Sequence, residues 1–188
     1  MTALGEELLV VSLHPGEGRN TRAHPGIRAA LCAAPVLDGW VAGMALPPEK
    51  ELRKHVRKNS FGTLEPALAP LVAAGRVTTT GRMTKYDWLA DPAWGAAVRE
   101  RLTASLSGPS APARHDAALT VLLYSGSLWD WAFDPPQGPG LHLVRPRPSP
   151  LRDRAAMLAS GAVIPDGAAA ADLSSVARVL RREVRNAD

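Results

Sequence analysis

The chain has 188 residues, 46% of them hydrophobic, and a formal net charge of +4. That length predicts one domain with a real core, and the single Cys excludes an internal disulfide framework and a cysteine-based zinc site. The positive balance, supplied by Arg far more than by Lys, favours an anionic partner (phospholipid surface, nucleic acid or acidic protein) without choosing among them.

In chain order, "TALGEELLVVSL" reads as a short first helix with Thr2 as candidate cap and an apolar body from Leu8 to Leu13. Its acids precede a short apolar run with no basic leader, the opposite of a secretion signal, and no stretch approaches the ~20 apolar residues of a membrane span. The expectation is a soluble, cytoplasmic chain that touches a membrane only peripherally, on its inner face. "HPGIRAALCAAPVL" opens a second, almost wholly apolar helix, in which Cys32 is read as a small buried residue. "GWVAGMALPP" resembles a short strand and turn.

"EKELRKHVRKNSFG" is the most basic segment, with Lys50, Arg53, Lys54, Arg57 and Lys58. As a helix it clusters Arg53, Arg57 and Lys58 within two turns, where Arg forks onto phosphate oxygens and Lys adds a point charge. "TLEPALAPLVAAG" carries Leu64, Leu68, Leu71 and Val72 as a helical stripe closed by Gly75, with a kink expected at Pro70. A β-hairpin is predicted next: Thr78, Thr79 and Thr80 favour strand, Gly81 and Arg82 make the turn, and Tyr86 and Trp88 share one face of the return.

"DPAWGAAVRERL" restarts a helix, capped by Asp91 with Pro92 at its first position. "RHDAALTVLLYSGSLWDWAF" is apolar enough to be the central helix. A Pro- and Gly-rich loop follows. "SPLRDRAAMLASG" is a helix with Ser149 as cap, Pro150 first and Gly161 as stop. "DLSSVARVLRREVR" is a last amphipathic helix, with Arg178, Arg181, Arg182 and Arg185 on the wet side. The fold class expected is mainly α, one multi-helix domain over 1–188 with one β-hairpin, the helix and hairpin together making a winged-helix-like unit.

No catalytic residue, metal site or cofactor is predicted. The five histidines have no metal-ligand spacing, and His115–Asp116 reads as a surface or capping pair. In "SLHPGEGRNTR", Arg19 and Arg22 are candidate anion contacts.

Taken in order, "EELLVVSLHPGEG", "LAPLVAAGRVTTT", "DPAWGAAVRERLTASL" and "DAALTVLLYSGSLWDWAF" resemble the Golgi phosphoprotein 3 family of peripheral membrane proteins, which includes bacterial members. The resemblance implies a mainly helical fold, phosphatidylinositol 4-phosphate as a ligand class, and a hairpin whose apolar residues enter the bilayer and help self-association. It makes Tyr86, Trp88 and Leu89 candidate membrane contacts, with Trp94 beside them. Positions where the family carries its headgroup-binding Trp and Arg residues fall here on Ala23, Cys32, Phe61 and Leu64. A displaced headgroup site is therefore assigned to Arg22, Arg53, Arg57 and Lys58.

The leading expectation is a non-enzymatic peripheral membrane or adaptor protein whose partner is an anionic membrane lipid, a phosphoinositide included. Two alternatives stand beside it. One is a winged-helix-like nucleic-acid binder using Arg76, Arg82 and Lys85, disfavoured because the preceding helix lacks Arg, Lys, Asn and Gln. The other is a protein-interaction module that self-associates through the hairpin. The lipid reading requires the Arg53–Lys58 run and an apolar protrusion to share one face.

Overall fold

The computed structural model describes residues 3–12, 25–59, 64–80, 87–90, 92–133, 149–163 and 170–186. Nine helices are found among them: α1 (Leu4–Ser12), α2 (Pro25–Val41), α3 (Glu49–Asn59), α4 (Leu64–Ala73), α5 (Pro92–Ser107), α6 (Arg114–Ser125), α7 (Trp129–Phe133), α8 (Pro150–Ser160) and α9 (Ala170–Arg185). The arrangement follows from α6. Ala117 to Leu123 are all buried, so this helix has no wet face over nearly two turns and must be surrounded. It packs against α1, α2, α8 and α9, with α5 and α7 also touching it.

The amphipathic helices complete the shell. α5 turns Val98, Leu102 and Leu106 inward at i, i+4 and i+8. α9 buries Leu173, Val176, Leu180 and Val184. α3 lies on α2 and α9 and buries only Leu52 and Val56. Cys32 is a small core residue on α2.

The expected fold class is corrected in one respect: the architecture of the described residues is all-α, and the expected β-hairpin comes down to a minimal strand pair that forms no sheet layer. Between α4 and α5 the described residues hold only two four-residue segments, β1 (Val77–Thr80) and β2 (Asp87–Ala90), paired antiparallel with Val77 opposite Ala90. They join no other strand. Val77 is the one residue of the pair in the described core. Two strands of this length are marginal on their own, and three threonines in β1 give the segment little to bury. The winged-helix-like unit falls with the hairpin. Residues 81–86, including Tyr86, lie outside the described residues, as do the side chains of Trp88 and Leu89.

Helix ends combine local and distant chemistry. Pro150 opens α8, and Gly161, at φ +79°, closes it, its amide bonding Leu158 O while that of Ala162 bonds Met157 O. Ser149 precedes α8 as expected but makes no side-chain capping bond. Gly75, at φ +66°, follows α4 as the predicted stop. α1 is capped from elsewhere: the Leu4 amide donates to Asp38 Oδ1 on α2, 3.0 Å away. The candidate caps Thr2 and Asp91 lie outside the described residues.

The long central helix expected from the sequence is two helices. After Ser125 the chain turns through Gly126 and Ser127, the latter at φ +58°, and Leu128 plugs the core before α7 begins. A Cβ on Gly126 would lie 2.7 Å from Leu122 O and 3.3 Å from Gly26 O, both backbone atoms. Gly126→Ala is therefore expected to cost about 1–3 kcal/mol. That lowers Tm by about 2–4 °C per kcal/mol for a chain of this size, readable by circular dichroism. An unchanged melting curve would show that the turn is not tight.

Candidate functional site

The largest concentration of charge is built by α3 and α9 side by side. α3 starts after Pro47–Pro48, with the amides of Glu51 and Leu52 bonding back to Pro48 O. Its acids sit in the first turn and Arg57 and Lys58 in the last, the order that complements the helix dipole. Because Leu52 and Val56 point into the core at 0% exposure, the helical period sends Lys50, Lys54, Arg57 and Lys58 to the opposite side. All four are exposed, while Arg53 flanks them half-buried.

On α9, Arg178, Arg181, Arg182 and Arg185 recur at i, i+3, i+4 and i+7, one exposed stripe opposite the buried one. The two helices are tied across the face by Arg178, which donates from Nε and Nη2 to Glu49 Oε2 at 3.0 and 2.9 Å. At the other end, Trp40 Nε1 donates to Asp172 Oδ2 at 3.3 Å and fixes the start of α9 to α2.

The charge count is one-sided. α3 has five basic residues against Glu49 and Glu51, and α9 has four against Asp172 and Glu183. Together they carry +5, whereas the whole chain carries +4, so the remainder of the molecule is close to neutral.

Of the residues singled out from the sequence, Arg57 and Lys58 therefore lie on the outward face and Arg53 at its edge. Arg22 lies outside the described residues. The contribution of α9 was not assigned to the site, although its i, i+3, i+4, i+7 arginine spacing is visible in "RVLRREVR". Of the hairpin expected beside the basic run, only the strand pair is described; it packs on α4, whereas α3 packs on α2 and α9, and the tip, 81–86, lies outside the described residues. Trp94, the neighbouring anchor candidate, is half-buried, with the Arg76 guanidinium 4.8 Å from its ring centroid. Two positions at which the resembled family carries arginine are core positions here, Cys32 and Leu64 each being 3% exposed. No headgroup can be held there.

A second charged cluster is internal. Glu7 on α1 is 4% exposed and accepts from Arg101 of α5 at both carboxylate oxygens, Nη1 to Oε1 at 3.0 Å and Nη2 to Oε2 at 2.5 Å. His115 Nε2 donates to the same Oε2 at 2.9 Å, and Arg101 Nε donates to Asp116 Oδ1 at 2.9 Å. Burial alone would raise the Glu7 pKa, but the hydrogen bonds and charges of His115 and Arg101 outweigh it and bring it from 4.5 to about 2. His115 is thus not the surface or capping residue the sequence suggested; it belongs to a clamp on three helices. Every carboxylate and guanidinium in the clamp is matched, which marks it as structural.

Beside α7, an open cleft of about 420 Å³ is lined by Thr103, Trp129, Asp130, Phe133, Leu151 and Arg152 among others. Asp130 is engaged there by Arg152, and Trp129 stacks on Phe133 with centroids 4.4 Å apart. Among the described residues, no group of three or more His, Cys, Asp or Glu side chains is placed to hold a metal ion, and no helix is long and apolar enough to cross a membrane. Comparison with protein-family models, with curated proteins and with solved structures found no match to this chain.

Proposed function

We propose that this protein is a non-enzymatic peripheral membrane protein that docks on anionic lipid through the joint face of α3 and α9. The observation that carries the reading is the net +5 on two adjoining helices of a chain whose total is +4. The nine basic side chains of these adjoining helices suit an extended negative sheet, where each cation that reaches the surface contributes about 1 kcal/mol. The resemblance of the ordered segments to Golgi phosphoprotein 3 proteins supports the same reading. The departures at Ala23, Cys32, Phe61 and Leu64 argue for recognition of negative charge rather than of one phosphoinositide headgroup. In a cell such a protein sits in the cytoplasm, against the inner face of a membrane.

Vesicle flotation tests this. The protein is expected to float with phosphatidylcholine vesicles that contain phosphatidylserine, to remain unbound with phosphatidylcholine alone, and to dissociate as salt is raised because exposed charges are screened. Substituting phosphatidylinositol 4-phosphate at equal charge should give similar binding. Equal behaviour on neutral and anionic vesicles would overturn the proposal. Salt-sensitive binding to duplex DNA without any flotation would assign the face to nucleic acid instead.

A further inference from the structure

We propose that Met44, on the turn between α2 and α3, is the apolar side chain that enters the bilayer when the basic face docks; the inference rests on the anionic-lipid reading above and names the element that inserts. Met44 is 63% exposed, the most exposed of the large hydrophobic residues described, ahead of Met157 at 43% and Val72 at 39%. Of these three it alone lies on a segment leading directly into α3. Residues 39–48, "GWVAGMALPP", carry no charge. Ala45 and Pro48 are also exposed, while Leu46 and Pro47 are half-buried and hold the segment down.

The turn is built, not loose. The Gly43 amide bonds Trp40 O at 3.0 Å and the Met44 amide bonds Gly39 O at 2.9 Å, which closes the end of α2. Gly43 supplies the positive φ of +95° that this closure needs. A Cβ on Gly39 would collide with the Met44 methyl, so the thioether lies back over a glycine that leaves room for it. Trp40, beneath the turn, is 2% exposed. Met44 is thus presented from a fixed support.

What faces it is decided by charge. Lys50 and Lys54 follow on the outward side of α3; of the two acids in its first turn, Glu49 is engaged by Arg178 and Glu51 is exposed, and the helix as a whole carries +3. An uncharged, exposed turn that leads into a basic helix suits an anionic bilayer, in which the headgroups meet the lysines of α3 while the methionine reaches the acyl boundary. An acidic protein would satisfy the cations but would not by itself solvate the thioether.

The experiment uses the full chain. Cys32, the single native cysteine, is 3% exposed, so Met44→Cys can be labelled selectively with a polarity-sensitive fluorophore, and Met157→Cys on α8 serves as the comparison. On phosphatidylserine-containing vesicles the label at 44 is expected to brighten, shift to the blue and be quenched by a lipid-soluble quencher, while the label at 157 is not. Unlabelled Met44→Ser is expected to bind about fivefold more weakly, as about 1 kcal/mol of lost apolar transfer would give. Binding with a water-like signal at 44, or with Met44→Ser as tight as wild type, would overturn the role of Met44 and leave the lipid reading standing. Absence of any wild-type binding would remove both.

Discussion

Glu7→Gln is expected to destabilise the fold by about 3–5 kcal/mol, the cost of removing one partner from a buried ion network. Glu7 receives three charge-assisted bonds, two from Arg101 and one from His115, on helices 94 and 108 residues away in sequence. The neutral amide cannot accept the Arg101 fork at both positions, and it turns a donor toward groups that are themselves donors. Asp116 alone is then left to balance Arg101. The same carboxylate sets an acid limb. Its folded pKa, about 2, lies below the ordinary 4.5, so its contribution is fully present above about pH 5 and is lost as pH falls toward 2. The shift corresponds to about 3 kcal/mol. Urea unfolding of both proteins at pH 7 and pH 3 checks the account: wild type should lose about half of the roughly 3 kcal/mol that ionised Glu7 contributes by pH 3, with the remainder lost only nearer pH 2. A difference below 1 kcal/mol at pH 7 would show that the cluster is not a clamp.

The combined variant Lys54→Gln, Arg57→Gln, Lys58→Gln and Arg182→Gln is expected to lose roughly 100- to 1000-fold in affinity for anionic vesicles. Four cations at about 1 kcal/mol each amount to about 3–4 kcal/mol once imperfect approach is allowed for. All four are exposed and set opposite the buried residues of their helices, so the fold should persist, with melting temperature and helical signal close to wild type. That separates this variant from Glu7→Gln, which acts on stability. Equilibrium binding at low ionic strength reads the effect. A loss below fivefold would mean that the face does not meet the lipid.

Local signals were legible in the sequence and long-range ones were not. Pro150 and Gly161 bracket α8 because N-terminal proline and left-handed glycine act within one turn. The Leu173, Val176, Leu180 and Val184 stripe of α9 is set by helical period alone. By contrast, the helix break inside the apolar run from Ala117 to Phe133 is easily read over: "SGSL" carries a Ser-Gly turn signal, but Leu128 continues the hydrophobic pattern across it while Ser127 takes a left-handed turn. The run around Trp40 reads as a strand by composition, yet α2 continues to Val41 because Trp40 packs in the core and bonds Asp172. The threonines of β1 favour extended backbone, but two paired segments of four residues, joined to no other strand, do not make a sheet layer. As for the site, Arg57 and Lys58 could be placed from the basic run, whereas the pairing of α3 with α9 depends on a tertiary contact across more than a hundred residues. Asp38 capping α1 and His115 meeting Glu7 are of the same kind.

Three of the chain's four lysines, Lys50, Lys54 and Lys58, lie on the outward side of α3, which makes amine acylation a direct footprint of the proposed docking face. With vesicle-bound protein, phosphatidylserine-containing membranes should slow acylation of all three several-fold, and neutral phosphatidylcholine should leave their reactivity unchanged. If the protein is bound to anionic vesicles while these lysines react as they do in free solution, the membrane is meeting some other surface and the two-helix face is not its dock.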